Sequence, residues 1–404
     1  MQTWMIALIV VAGALAFVAV AFVLWALLPV HFVLGRRKEI PLEKRIKLGY
    51  TAENFGVNSK WFGGVKDRTE TLSLTAYDGV ELSALLIKQP EHLGRVAVCC
   101  HGYGANQHSM QAQAKIFYDR GFDVIIPAMR GHKGSGGKVG MAWLDRFDLL
   151  RWIDKAVAVF GDGVKIALCG TSMGGSTVIA ASGMTLPSQV KCVIDDCGFN
   201  SQFDEYAAVL AGGNTDKIST RTRISLYMVN LGVKLVHGYS LYDADIESFA
   251  RNMTIPALFI HGEEDKYVPC ALGRKLYEAC ASENKEFLSI VGAGHALSYA
   301  VDKQKYTDAF TAFIDKYIEG SAFIADSDEL IVEEVKEEEK KETVQEVKED
   351  EKNETPDEVK EEVKENGEDE DEKKESEEVK EEAPTEEEKK EESEQLAEEN
   401  KTEE

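Results

Sequence analysis

The sequence predicts an α/β fold, a mostly parallel β-sheet with helices on both faces, and three observations predict it. Short apolar runs alternate with amphipathic stretches from Thr69 to about residue 320. The runs lack polar alternation, as strands covered on both faces do. A glycine-flanked serine, Gly170-Thr171-Ser172-Met173-Gly174, falls between one such run and a helix-compatible stretch, Ser176–Ala181.

Taken in order, the chain opens on an apolar stretch. No Asp, Glu, Lys or Arg occurs from Trp4 to Leu34. Trp4 to Leu28 alone gives roughly 37 Å of helix, enough to cross a ~30 Å hydrocarbon core. Residues 1–35 are therefore expected to be a transmembrane anchor, its helix ending at Pro29. Arg36, Arg37, Lys38, Lys44, Arg45 and Lys47 follow the span in a juxtamembrane segment, 36–68. That bias keeps the C-terminal side in the cytoplasm and makes the chain a single-pass membrane protein. Seven cysteines, an odd number, agree with reduced thiols, and no CxxC spacing among them suggests zinc.

The domain expected over 69–320 starts with an antiparallel hairpin, Thr71–Ala76 and Glu81–Lys88, turned at Asp78-Gly79. Parallel strands are expected at Val96–Cys100, Val124–Pro127, Lys165–Cys169, Cys192–Ile194, Ala257–Ile260 and Phe287–Ile290, with helices such as Met110–Arg120 and Asp145–Phe160 between them. About 199–252 the alternation breaks, and a helical insertion able to act as a lid is expected. Residues 326–404 carry 39 acidic and 13 basic residues, no aromatic residue, and a recurring Glu-Val-Lys. Such composition predicts a disordered tail, a solvated spacer or a docking segment for a basic protein partner. The remaining residues are nearly neutral, which excludes an electrostatic case for nucleic acid.

The chemistry concentrates in loops at strand ends. A serine on a tight strand-to-helix turn is lifted above the sheet on a strained backbone, which makes Ser172 the candidate nucleophile. It needs a base and a carboxylate, in the chain order Ser, Asp or Glu, His. Of His237, His261 and His295, only His295 lies in a loop after the last apolar strand. Asp265 is the favoured acid, with Glu263, Glu264, Asp195 and Asp196 as alternatives. The oxyanion donors are expected at the Met173 N–H and the Tyr103 N–H of His101-Gly102-Tyr103-Gly104, worth ~3–4 kcal/mol each. His101 itself is read as holding that loop.

These residues resemble the α/β-hydrolases of the serine-aminopeptidase-like and esterase group, especially membrane-anchored bacterial members. The resemblance covers about residues 69–320 and rests on His101-Gly102, Arg130-Gly131-His132 with Gly134-Ser135-Gly136, the Ser172 turn, Asp265 and His295. Lys133 departs from the group's usual Arg-Gly-His-Gly, and the acidic tail is a further departure. The resemblance implies hydrolysis of a small-molecule carboxylic ester, or less often an amide, without cofactor, and no metal ligand set is expected. Thioester hydrolysis, peptide hydrolysis and a non-catalytic scaffold are the other readings.

Overall fold

The computed structural model describes residues 2–35, 60–213 and 218–318. Its centre is an eight-stranded sheet: β1 (Thr69–Thr75), β2 (Glu81–Ile87), β3 (Arg95–Cys100), β4 (Asp123–Pro127), β5 (Lys165–Thr171), β6 (Val190–Asp196), β7 (Ala257–Gly262) and β8 (Lys285–Ile290). The spatial order is β1-β2-β4-β3-β5-β6-β7-β8. β1 pairs with β2 and β2 with β4 antiparallel, and every later pairing is parallel. The expected apolar runs are these strands, extended by a few residues at their ends.

The helices cover both faces because the strands are apolar on both. Val96, Val98, Ile166 and Leu168 pack on one side, with Leu149, Trp152 and Ile153 of α4 (Asp145–Phe160) and Val178 and Ile179 of α5 (Met173–Ser182). Their sequence neighbours Ala97, Cys99, Ala167 and Cys169 face the other way. There they meet Ala114 and Phe117 of α3 (Gln111–Tyr118) and Phe310 and Phe313 of α11 (Lys303–Tyr317). The helices α2 (Lys60–Gly64), α9 (Cys270–Ala279) and α10 (Ser298–Val301) complete the described α-helices outside 199–252 and the N-terminus. Each fully buried Phe or Leu contributes about 1.5–3 kcal/mol, so this two-faced core fixes the register of the strands that carry the site.

The stretch 199–252 departs from strand–helix alternation as its sequence suggests. It holds α6 (Gln202–Leu210), α7 (Thr220–His237) and α8 (Ile246–Ala250). Ser201 caps α6 by accepting the Asp204 N–H, and Ser219 caps α7 by accepting the Thr222 N–H. Gly238 ends α7 in the left-handed conformation at φ 76°.

The apolar N-terminal stretch is helix α1 (Thr3–Leu34), with a mean hydropathy of 2.8 over Trp4–Phe22 and none of that window buried. It does not stop at Pro29. A proline deletes a single intrahelical hydrogen bond, which a strongly apolar helix tolerates. Its C-terminal end sits on the sheet domain. Leu34 is buried, its carbonyl accepts the Val139 N–H at 3.1 Å, and α7 packs against the helix. The basic flank at 36–47 and the acidic tail at 326–404 lie outside the described residues.

Candidate active site

Ser172 occupies the turn between β5 and α5 with φ 57° and ψ −117°. For a residue with a Cβ this is a strained backbone, and close packing enforces it. A Cβ at Gly170 would overlap the Gly174 carbonyl, and one at Gly174 would overlap the Cys100 carbonyl. No other residue type fits those two positions without moving β3, β5 or α5. The Ser172 N–H donates to the Asp196 carbonyl at 2.7 Å, tying the turn to the end of β6. Only 7% of the residue is exposed.

Three of the residues picked from the sequence meet here. His295 Nε2 lies 2.9 Å from Ser172 Oγ, and its Nδ1 lies 2.7 Å from Asp265 Oδ2. Asp265 follows β7 and His295 follows β8, so all three stand at the carboxyl ends of parallel strands, with β6 between β5 and β7. The other Asp265 oxygen accepts the Tyr267 N–H at 2.9 Å and the Val268 N–H at 2.8 Å. Burial would push this carboxyl up. The His295 charge and hydrogen bonds from His261 and His295 outweigh that and hold it well below the usual carboxylate range.

The loop ahead of the turn is braced by two histidines. His101 Nδ1–H donates to the Gly102 carbonyl while its Nε2 accepts the Met129 N–H at 3.1 Å. His132 does the same one step on, donating to the Arg130 carbonyl and accepting the Gly104 N–H at 2.9 Å. Gly102 lies against the serine, since a Cβ there would stand 3.3 Å from Ser172 Cβ. Tyr103 follows in this braced loop, and Met173 opens α5 beside the serine.

The other candidates are elsewhere. His237 ends α7, where burial, then the charges of Lys138 and Arg130, push it down to about 4. His261 is buried behind Asp265, its Nε2 at 2.8 Å from the Val268 carbonyl. Glu263 accepts from Ser289 Oγ, and Glu264 is exposed. Asp195 accepts the Gly198 N–H. Asp196 receives Tyr306 Oη–H at 2.9 Å and Gln113 Nε2–H at 3.3 Å.

Sequence reasoning passed over several supporting residues. Arg130 is 2% exposed and forks onto Asp148, with both contacts at 2.6 Å, while reaching Asp78 at 2.9 Å. Asp145, beside this cluster, is pushed up to about 7 by burial and then by the Asp148 charge. Arg130 was visible in the sequence as part of a motif. Its partners, 18 and 52 residues away, were not.

Known proteins match the chain over this region. A family model described as alpha/beta hydrolase fold matches residues 96–215, and one described as serine hydrolase (FSH1) matches 169–297, a span that includes Ser172, Asp265 and His295. An uncharacterized protein of Bacillus subtilis (strain 168), YqkD, is 25% identical over 231 residues, covering 56% of this chain and 73% of that protein. An uncharacterized 31.7 kDa protein from the traX-finO intergenic region of Escherichia coli is 24% identical over 49% of this chain and 82% of its own length. The Pyrococcus furiosus esterase Pf2001 superposes with a TM-score of 0.51 at 16% identity, over 71% of this chain and 97% of that one. A likeness at that identity speaks to the fold.

Proposed function

We propose that this chain, which has the α/β-hydrolase fold, is a membrane-anchored serine hydrolase that cleaves a small-molecule carboxylic ester through an acyl-enzyme. The observation that carries the reading is the unbroken line Ser172 Oγ, His295, Asp265, with contacts of 2.9 and 2.7 Å. His295 Nε2 takes the Ser172 proton as Oγ attacks the acyl carbon. Asp265 holds the ring by Nδ1 and stabilises its charged form. The Met173 and Tyr103 N–H groups receive the oxyanion. His295 then gives its proton to the leaving alcohol, and water, deprotonated by the same ring, frees the acid.

No step calls for a cofactor. A panel of p-nitrophenyl esters of graded chain length, acyl-CoAs and aminoacyl amides tests the reading. Ester turnover that vanishes in Ser172→Ala supports it, and turnover confined to thioesters or amides replaces the substrate class.

Helix α1 supports the anchor, because its Trp4–Phe22 face is apolar and unburied while its far end seats on the domain. The juxtamembrane charges at 36–47 favour a cytoplasmic catalytic domain. Carbonate-resistant sedimentation that is lost on deleting residues 1–24 is the expected result. Sedimentation unchanged by that deletion removes the anchor from the account.

A further inference from the structure

Cys197 lies at the site and has no part in the reaction above. It follows β6 directly, with φ 55°, a left-handed backbone uncommon outside glycine. Its N–H donates to the Ile260 carbonyl at 2.8 Å, which locks that conformation between β6 and β7. The side chain is thereby turned in behind the His295–Asp265 pair. Cys197 Sγ, an Asp265 carboxylate oxygen and a His295 ring nitrogen all lie within 4.8 Å of one another. Cys197 is 1% exposed and the Asp265 side chain is fully buried, while the His295 side chain is 15% exposed.

Thiolate, carboxylate and imidazole are the ligand types of Zn2+, bound at about 2.3, 2.1 and 2.0 Å. Tetrahedral placement at those lengths puts ligand atoms roughly 3.3–3.7 Å apart. To reach this, the 2.7 Å His295–Asp265 contact has to open and the sulfur has to move in from within 4.8 Å. The surroundings favour a cation. Asp195, Asp196 and Asp265 are all buried near the sulfur, and among the described residues none of them pairs with a lysine or arginine.

We propose that Cys197, Asp265 and His295 form an inhibitory site for Zn2+ and similar thiophilic divalent cations. The inference rests on His295 being the base for Ser172. Binding releases the Cys197 thiol proton to solvent. The metal takes the Nδ1 lone pair, and the imidazole proton moves from Nδ1 to Nε2. There it points at Ser172 Oγ, 2.9 Å away, so the ring donates to the serine and has no lone pair with which to deprotonate it. Removing the metal restores the Nδ1–H tautomer and the base.

The test titrates Zn2+ against ester turnover by the full-length protein, with EDTA added at the end, in wild type, Cys197→Ala and Cys197→Ser. Each protein is compared with its own metal-free rate. In parallel, Cd2+ binding is read by its ultraviolet thiolate charge-transfer band, which needs no turnover. Wild type is expected to be inhibited at one metal per chain, to recover with EDTA and to show the band. Both variants should need at least about tenfold more Zn2+ and show no band, since losing a ligand costs more than losing a group behind one. The serine variant keeps size and polarity if alanine disturbs folding. Equal inhibition of wild type and both variants, or a wild type that binds Cd2+ without the band, overturns the proposal. A band that depends on Cys197 in a protein with no hydrolytic activity would instead keep the metal site and remove the hydrolase reading beneath it.

Discussion

Asp265 divides its carboxylate between two tasks, giving Oδ2 to His295 Nδ1 at 2.7 Å and Oδ1 to the N–H groups of Tyr267 and Val268. The backbone bonds fix the carboxylate, and the carboxylate fixes the ring. Asp265→Asn preserves the shape but favours the wrong histidine tautomer, so kcat should fall by about 10³–10⁴. Steady-state ester hydrolysis checks this. A loss under tenfold would assign the acid to another residue.

Asp195 offers the opposite case. Burial pushes it up to about 7, against the opposing charge of His261 and with that of Asp196. An unfolded chain releases this proton near the ordinary Asp value of about 3.9. Between the two values the native state binds the extra proton, so stability falls as pH rises through that window. In Asp195→Asn, whose amide oxygen still accepts the Gly198 N–H, the fall should shrink, with ester kcat within about threefold of wild type. Urea unfolding at about pH 4.5 and about pH 7.5 reads the difference. An unchanged slope contradicts the assignment.

Gly102 carries the loop proposed to hold the oxyanion past Ser172, the proposed nucleophile. A methyl group there would stand 3.2 Å from the Thr171 carbonyl oxygen and 3.3 Å from Ser172 Cβ. The loop must yield, taking the Tyr103 N–H with it. Gly102→Ala should lower kcat by about 10²–10³ with a smaller change in KM, the signature of a donor that works in the transition state. A pure KM effect would place the loop in substrate binding alone.

Arg130 holds Asp148 and Asp78 together in a buried cluster. Burial lowers its basicity, and the hydrogen bonds it donates to those two carboxylates more than restore it. Arg130→Met leaves acidic groups without their cation, a change that costs about 3–5 kcal/mol. Chemical unfolding of the variant should show that loss. A cost under about 1 kcal/mol would mean that the cluster contributes nothing net.

The central strands were legible because they are short runs apolar on both faces, whereas β1, Thr69–Thr75, alternates and was legible through its hairpin turn. Helix α4, Asp145–Phe160, starts and stops where its pattern does. Helix α1 runs past Pro29 to Leu34, since a proline signals a break in water more strongly than in an apolar helix. In the site, glycine spacing pointed to Ser172, and chain order with loop position pointed to Asp265 and His295. The supporting groups were hidden by sequence distance: Gln113 and Tyr306 reach Asp196 from 83 and 110 residues away. In the sequence Cys197 is one of seven cysteines consistent with reduced thiols. Its position behind His295 comes from a left-handed backbone that its residue type does not announce.

Whether Ser172 is the nucleophile decides the account. Folded, full-length protein treated with a fluorophosphonate and digested for peptide mass analysis should carry one adduct, on Ser172. That adduct should be absent in Ser172→Ala and slow to form in His295→Ala. Folded protein that stays unlabelled, or Ser172→Ala that labels as wild type does, contradicts it.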